Sequence, residues 1–416
     1  MDIRSDMLSR LQARKPGFTL DRPFYIDPDF YRQDLEQIWY RDWLFIGHDC
    51  EIPNPGNYMT VQIGEYPIVV VRGNDGSINA LHNSCRHRGS RVCLEHRGSA
   101  AKLVCSYHQW TYELDGSLLY ARQMGENFDT AGFGLKRIAC ELAGGYIFIS
   151  LADEPLDFAP FRMAMEPYFL PHRLRDAKVA HETTIIEKGN WKLVWENNRE
   201  CYHCAANHPE LCKTYPEAPS LTGVSGAEND PEIAEHWRKC EAIGLPSRFA
   251  IDERGGQYRA ARMPLLRDAI SYTISGRKAV QMRLSDNVNM DRIGTLLLFH
   301  YPTTWNHVLS DHAITFRVLP LSATETAVTT KWLVHKDAVE GIDYRLDELT
   351  HVWTETNDQD RQIVEENARG IHSPAYQPGP YSQVHEGGVE QFVEWYSAFM
   401  QERLGGTAKS PLRSVA

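Results

Sequence analysis

Residues 195 to 212 crowd reactive groups together. They read Trp195-Glu196-Asn197-Asn198-Arg199-Glu200-Cys201-Tyr202-His203-Cys204-Ala205-Ala206-Asn207-His208-Pro209-Glu210-Leu211-Cys212. Carboxylates, imidazoles and thiols at this density do not build a core. Glu200-x-x-His203-x4-His208 reads as two metal ligands with a carboxylate set just before them. A non-haem ferrous ion that activates O2 is held by two histidines and one carboxylate on one face, with the other face open. Five residues of regular helix turn through about 140°, so His203 and His208 can share an ion only where the helix ends or distorts between them. Pro209 supports such an ending. The third donor has to come from elsewhere. Asp360 falls on the apolar stripe of a later helix, marked by Leu346, Leu349, Val352, Trp353, Thr356, Ile363 and Val364. A carboxylate there is costly unless paired or metal-bound, which leaves a metal ligand or an Asp bonded to Arg or backbone.

A second constellation lies upstream: Cys85-x-His87, seventeen residues, then Cys105-x-x-His108. Two thiolates and two imidazoles are the donor set of a mixed-ligand two-iron, two-sulfide cluster. Neutral imidazole in place of thiolate leaves such a cluster less negative and easier to reduce. Each loop ends on its histidine, so the histidine-bound iron would face the surface. A zinc site is the alternative, but zinc fingers place a cysteine knuckle before their histidines, and that order is absent. Cys93 has no spare cysteine in the second loop to pair with. The first constellation reads as the user of electrons and the second as their supplier.

These groups need scaffolds. Residues 1–40 read as a loose polar arm followed by a helix that opens at Pro28 with Asp27 as its cap. From 41 to 155 the pattern is period two with turns at Asn74-Asp75-Gly76 and Asp115-Gly116, a small all-β domain with both Cys–His pairs at loop tips. From 156 to 416 the chain alternates strands with long helices, an α+β arrangement. Residues 156–172 read there as a Pro-rich connection and 213–262 as a mobile insertion able to cover a site. Strands are expected at 179–188, 295–301, 307–319 and 325–335, and helices at 190–206, 344–367 and 389–404.

Composition sets the outer bounds. A chain of 416 residues is long for one core. A net charge of −11 disfavours nucleic acid and suits a cationic partner. No apolar run is long enough for a membrane span, and the charged start lacks a secretory h-region, so a cytoplasmic location is expected. Nine cysteines without framework spacing suggest thiols and metal ligands, not disulfides.

Together the two motifs resemble the oxygenase components of the Rieske non-haem iron oxygenases, from about Phe24 to Leu404. Cys85-Arg-His87-Arg-Gly-Ser and Cys105-Ser-Tyr-His108-Gln-Trp110 are similar to the family's cluster loops. Asn197 to His208 is similar to its iron motif, and Asp360-x4-Glu365 to its third-ligand helix. The resemblance implies a Rieske domain holding a [2Fe-2S] cluster and a helix-grip catalytic domain holding mononuclear Fe(II). It also implies a homotrimer in which the cluster of one subunit serves the iron of the next. A carboxylate then links a cluster histidine to an iron-ligand histidine. By position that is Glu200, between His108 and His203, where many members carry Asp.

Finer likeness points to the oxygenases of quaternary ammonium compounds, with the resemblance greatest to those that demethylate proline betaine (stachydrine) and slightly less to those of glycine betaine and carnitine. Asn190 to Cys204, Trp332 to Gly341 and Pro378 to Ser382 carry it. The implied reaction takes O2, two electrons and two protons, oxidises an N-methyl group and releases formaldehyde. The electrons would come from a separate flavin and iron–sulfur reductase using NAD(P)H. A quaternary ammonium cannot donate a hydrogen bond, so aromatic faces would hold it. Tyr202, Tyr301 and Trp305, and also Trp195, are candidates for that cage or for plain core. A substrate carboxylate would want Arg, Asn or a backbone donor, with Asn306 and His307 as candidates. Hydroxylation of carnitine or of an aromatic ring, and a Rieske electron carrier without oxygen chemistry, are the competing functions.

Overall fold

The computed structural model describes residues 2–405 apart from 126, 217–226, 253–255, 267 and 286–290. The chain divides into two units: residues 39–158, and residues 1–38 together with 159–416.

The first unit is all β. Its strands are β1 Leu44–His48, β2 Asn57–Ile63, β3 Tyr66–Arg72, β4 Ile78–His82, β5 Arg97–Ser99, β6 Leu103–Val104, β7 Thr111–Tyr112, β8 Leu118–Tyr120, β9 Arg137–Ala143 and β10 Tyr146–Ser150. Seven form one sheet in the order β1-β10-β9-β4-β3-β2-β5, and β6-β7-β8 form another. The two expected hairpins are present. Gly76 and Gly116 take φ of 82° and 90°, a region that only glycine enters without strain. Val69, Val71, Leu81, Leu103 and Tyr112 pack with Cys85 and Cys105 in one cluster, so the core itself anchors the two cysteine-bearing loops.

The second unit begins with three helices, α1 Ile3–Ala13, α2 Pro23–Ile26 and α3 Pro28–Asp34. Asp27 caps α3 by accepting from the Asp29 amide at 2.8 Å, as its sequence suggests. The start of the chain is not the loose arm expected. Met7 and Leu11 of α1 are buried, Arg14 pairs with Glu394, and the Thr19 amide donates to Gly379 at 3.0 Å. Apolar side chains one helical turn apart dock it. The Pro-rich stretch is likewise a helix, α4 Ala159–Phe169, with Pro167 inside it.

Seven antiparallel strands follow, in the order β11-β17-β16-β15-β14-β13-β12. They are β11 Ala177–Glu187, β12 Ala250–Ile251, β13 Tyr258–Met263, β14 Thr295–His300, β15 Thr304–Val308, β16 Ala313–Ser322 and β17 Glu325–His335. The single strand expected over 307–319 is two, folded back through Leu309–His312, where the Leu309 amide donates to His312 at 2.9 Å. The remaining helices are α5 Trp191–Asn198, α6 Cys204–Asn207, α7 Pro231–Glu241, α8 Leu346–Ile371 and α9 Gly387–Arg403. Helix α8 runs on through Gly370, which opposes nothing and costs only propensity. Of the expected insertion, residues 217–226 and 253–255 lie outside the described residues. The described part holds α7, capped by Asp230, and the fully buried β13. No helix among the described residues is long and apolar enough to cross a membrane.

Helix α5 is fixed from several sides. Asn190 caps it, its Oδ1 accepting from the Lys192 amide at 3.1 Å. The Trp191 indole donates to Asp34 at 3.0 Å, and Trp195 donates to the Pro302 carbonyl at 2.7 Å. Lys192 forms a fully buried ion pair with the same Asp34. Gly189, at the turn from β11 into α5, lets α8 come close: a Cβ there would sit 2.7 Å from Val364 Cγ1. That approach brings the Asp360 turn of α8 beside α5.

Candidate metal centres and ligand cavity

Sequence spacing already demanded a break between His203 and His208, and the chain supplies it. Helix α5 stops at Asn198, residues 199–203 turn, and α6 runs only from Cys204 to Asn207. His203 stands at the N-terminal cap of α6 and His208 at its C-terminal cap. Their Nε2 atoms lie 3.0 Å apart. Asp360 reaches in from α8, its Oδ1 3.0 Å from His208 Nε2 and 3.4 Å from His203 Nε2. Asp360 is not sealed in the apolar stripe as expected. It stands at the edge, 24% exposed, and turns toward the two rings.

These distances suit an ion. Donors about 2.1 Å from a metal are about 3.0 Å apart at right angles and about 3.4 Å apart at tetrahedral angles. Two of the three spacings match the right-angled, one-face arrangement that leaves positions open. Electrostatics agree. Burial works to raise the Asp360 carboxyl, but hydrogen bonds and charges from His203 and His208 outweigh it and hold Asp360 down at about 2. Burial pulls His203 down, yet bonds to Asp360 and Glu200 lift it to about 10. Asp360 stays ionised and both imidazoles are biased toward positive charge, so the space between the three favours a cation.

Each donor is oriented from behind. Glu200 Oε1 pairs with His203 Nδ1, which leaves Nε2 as the free donor. Gln359 Oε1 lies 2.8 Å from His208 Nδ1, and Gln359 Nε2 donates to Glu210 at 3.1 Å. Asn197 Nδ2 donates to Asp360 Oδ1 at 2.7 Å. Gln359 escaped the sequence reading. Its only signal is its place beside Asp360, since a glutamine on a helix is usually solvated.

Cys201 and Cys204 are joined in a disulfide, where plain buried thiols were expected. The turn between α5 and α6 brings their Cα atoms to 4.9 Å, within bridging reach. The bridge removes Cys204 from the donors around His203 and His208. Cys212 lies outside that disulfide.

In the β unit the two cysteine-bearing loops share one backbone pattern. The Gly89 amide donates to Cys85 and the Cys85 amide to Ser90, both at 2.8 Å. The Gln109 amide donates to Cys105 and the Cys105 amide to Trp110, both at 2.9 Å. Gly89 and Gln109 both turn with positive φ, 81° and 59°. The histidine is simply shifted by one residue between them. Cys85 and Cys105 are 4% and 1% exposed, while His87 and His108 lie half-buried outside them. The Nδ1 atoms of the two histidines face each other at 3.2 Å, so their Nε2 atoms point outward. Trp110 stacks on His87, and the Tyr112 hydroxyl sits 3.2 Å from Cys85 Sγ, placed to donate to a thiolate. Sulfur inside and imidazole outside fit a cluster with two unlike irons.

The substrate candidates separate. Tyr202 is 58% exposed and stacks on His385. Tyr301 is wholly buried, packed on Trp195, Phe392 and Trp395 with its hydroxyl donating to Gln391 at 2.9 Å, which is core. Trp195 is also core, held by the Pro302 bond. Trp305 lines a partly open cavity of about 50 Å³ with Asn198, Arg199, Tyr215, Arg259 and Phe299. Asn306 and His307 line it too.

Residues 42–138 match the model of the Rieske [2Fe-2S] domain, and residues 174–402 that of the ring hydroxylating alpha subunit (catalytic domain). The chain is 50% identical over 398 residues to a glycine betaine monooxygenase oxygenase subunit of Pseudomonas aeruginosa, covering 95% of this chain and 92% of that one. It is 47% identical over 414 residues to the subunit of that name from Chromohalobacter salexigens, covering 98% and 91%. Among solved structures, the quaternary ammonium Rieske monooxygenase CntA in complex with L-carnitine aligns with a TM-score of 0.70 at 19% identity, covering 95% of this chain and 99% of that one. That likeness establishes the shared fold.

Proposed function

The chain belongs to the Rieske-type ring-hydroxylating oxygenases, and on that premise we propose that it is the terminal oxygenase of an O2-dependent N-demethylation of a small betaine, glycine betaine foremost. The family's groups are a [2Fe-2S] cluster and a mononuclear iron. Cys85, Cys105, His87 and His108 would hold the cluster, and His203, His208 and Asp360 the iron. The observation that carries the reading is the convergence of three donors of the right type at 3.0 to 3.4 Å from two separate helical elements. The betaine assignment is supported by the glycine betaine monooxygenase relatives. The cavity lined by Trp305 is about 50 Å³, far below the roughly 300 Å³ where ordinary ligand pockets begin, so it favours a small ligand and would have to widen even for a betaine. A two-ring aromatic would need extensive repacking.

When bound, the iron supplies O2 activation and the cluster supplies electrons one at a time. Overall, one oxygen atom enters a C–H bond of an N-methyl group and the other leaves as water, using two electrons and two protons. The hydroxymethyl ammonium then loses formaldehyde and a proton to give the tertiary amine. The protein positions and excludes water. Glu200 keeps His203 in one tautomer, Gln359 and Asn197 fix His208 and Asp360, and Trp305 walls the cavity.

Glu200 would also link His203 to His108 of a neighbouring subunit in a homotrimer. It already takes donors from His203 Nδ1 and the amides of Tyr202 and His203. A carboxylate offers about four lone-pair sites, so one further donor fits. A separate NAD(P)H-dependent flavin and iron–sulfur reductase would deliver the electrons, since the chain has no nucleotide-binding glycine motif.

The test is a panel of glycine betaine, proline betaine, carnitine and an aromatic acid, scored for formaldehyde with a surrogate reductase. Formaldehyde in step with glycine betaine consumption is the expected result. Ring hydroxylation without formaldehyde would overturn the reading.

A further inference from the structure

The cavity at the C-terminal end of α5 is lined by several hydrogen-bond donors that lack acceptors among the described residues. Arg199 is 5% exposed, and its Nε and Nη2 find no hydrogen-bond partner among the described residues. Asn306 Nδ2 and Trp305 Nε1 are likewise buried without one among the described residues. Arg259, also 5% exposed, lines the same space. Both guanidiniums lie against the ring of Phe299, with Cζ 4.2 and 5.3 Å from its centroid. Stacking on the ring leaves Nε and Nη2 of Arg199 able to meet a ligand, while the guanidinium also bonds Tyr301. His307 adds no further positive charge to the site. Burial holds it down at about 3, so it is neutral.

Two buried cations against one aromatic ring repel each other. Burial lowers Arg259 first, and the Arg199 charge lowers it further, to about 9. An anion on the unsatisfied donors of Arg199 would offset that repulsion. The anion has to be acceptor-only, planar and small, which describes a carboxylate and matches the fork of a guanidinium. The same charges exclude a cationic head from this end. A betaine would therefore enter with its carboxylate here and its methyl groups away from the arginines. The iron triad and this cavity share the last turn of α5: Asn197 holds Asp360, and Asn198 and Arg199 line the cavity.

We propose that Arg199, with Arg259 beside it, binds the substrate carboxylate and sets a preference for betaines over quaternary ammonium alcohols. The proposal rests on the N-demethylase reading and deepens it. Arg199 is a binding residue and leaves the oxygen chemistry to the triad.

Glycine betaine and choline make a matched pair, with the same trimethylammonium head and a carboxylate or a hydroxymethyl group at the other end. Wild-type kcat/KM should favour glycine betaine by about 100-fold or more. Arg199→Gln should raise KM for glycine betaine by about 100-fold with a smaller change in kcat, lower kcat/KM for choline by less than about 10-fold, and retain cluster absorbance and iron. Arg199→Lys should recover part of the loss. The ligand-free Arg199→Gln protein should melt at or above the wild-type temperature, because an uncompensated buried charge has been removed. Unchanged KM, equal losses on both substrates, or a clear drop in melting temperature would overturn the proposal. If no quaternary ammonium compound yields formaldehyde, the N-demethylase reading fails by itself. Calorimetric titration with glycine betaine then decides the carboxylate site, which stands only if binding occurs and is lost in Arg199→Gln.

Discussion

His203, His208 and Asp360 show how little sequence distance has to do with a site. Two donors are five residues apart and the third is far downstream, yet their atoms meet at 3.0 to 3.4 Å. His203→Ala should lose the mononuclear iron and keep the cluster spectrum, with turnover abolished. Iron content and electron paramagnetic resonance read this directly, and surviving activity would remove the triad assignment. The groups behind the donors matter next. Gln359 fixes the His208 ring and nothing in the stripe pattern of α8 requires it for packing. Gln359→Leu should weaken iron binding by about 10- to 100-fold while the protein folds normally, seen as a rightward shift in an iron titration.

Helix α5 positions everything around it, and its own anchors are polar and buried. Glu196 accepts from Tyr25 at 2.7 Å and from Tyr381 at 3.4 Å. Burial lifts its carboxyl from the ordinary 4.5 to about 7, against the pull of the Tyr25 bond and the Lys192 charge. The folded state therefore holds this proton more tightly than the unfolded chain does. Stability from Glu196 is full below about pH 4.5 and is lost as pH rises through about 7. The loss is about 3 kcal/mol at most for a shift of this size. Melting temperature should fall between pH 5 and 8, and Glu196→Gln should flatten that fall in scanning calorimetry. Parallel curves for the two proteins would show that Glu196 does not carry the dependence.

At the scale of the whole molecule the residues proposed to hold the cluster and those proposed to hold the iron belong to different units of the chain. Electrons have to pass from one kind of site to the other, and Glu200 is the group proposed to link them between subunits. Glu200→Gln should retain both metals and the wild-type assembly state but slow single-turnover electron transfer by about 100-fold or more, a loss typical of removing a hydrogen-bonded charge. Stopped-flow oxidation of the reduced cluster measures it. Unchanged kinetics would leave Glu200 with the orientation of His203 alone. Light scattering on the same samples reports whether the 47.6 kDa chain assembles in threes.

The sequence by itself determined the donor types, the break between His203 and His208, the two cysteine loops and the alternation of a β unit with an α+β unit. Each of these follows from local chemistry: ligand spacing, turn glycines, caps and periodicity. It misjudged the first residues, because docking of α1 depends on partners at the far end of the chain. It ran two strands into one, because the turn at Leu309–His312 carries no glycine or proline. Only the tertiary structure could bring Asp360 to the histidines, through the close approach that Gly189 allows. It alone placed Gln359 behind His208, moved Tyr301 from candidate cage to core, and gathered Arg199 and Arg259 against Phe299. Those outcomes depend on which elements are neighbours, and neighbourhood is decided by packing far along the chain.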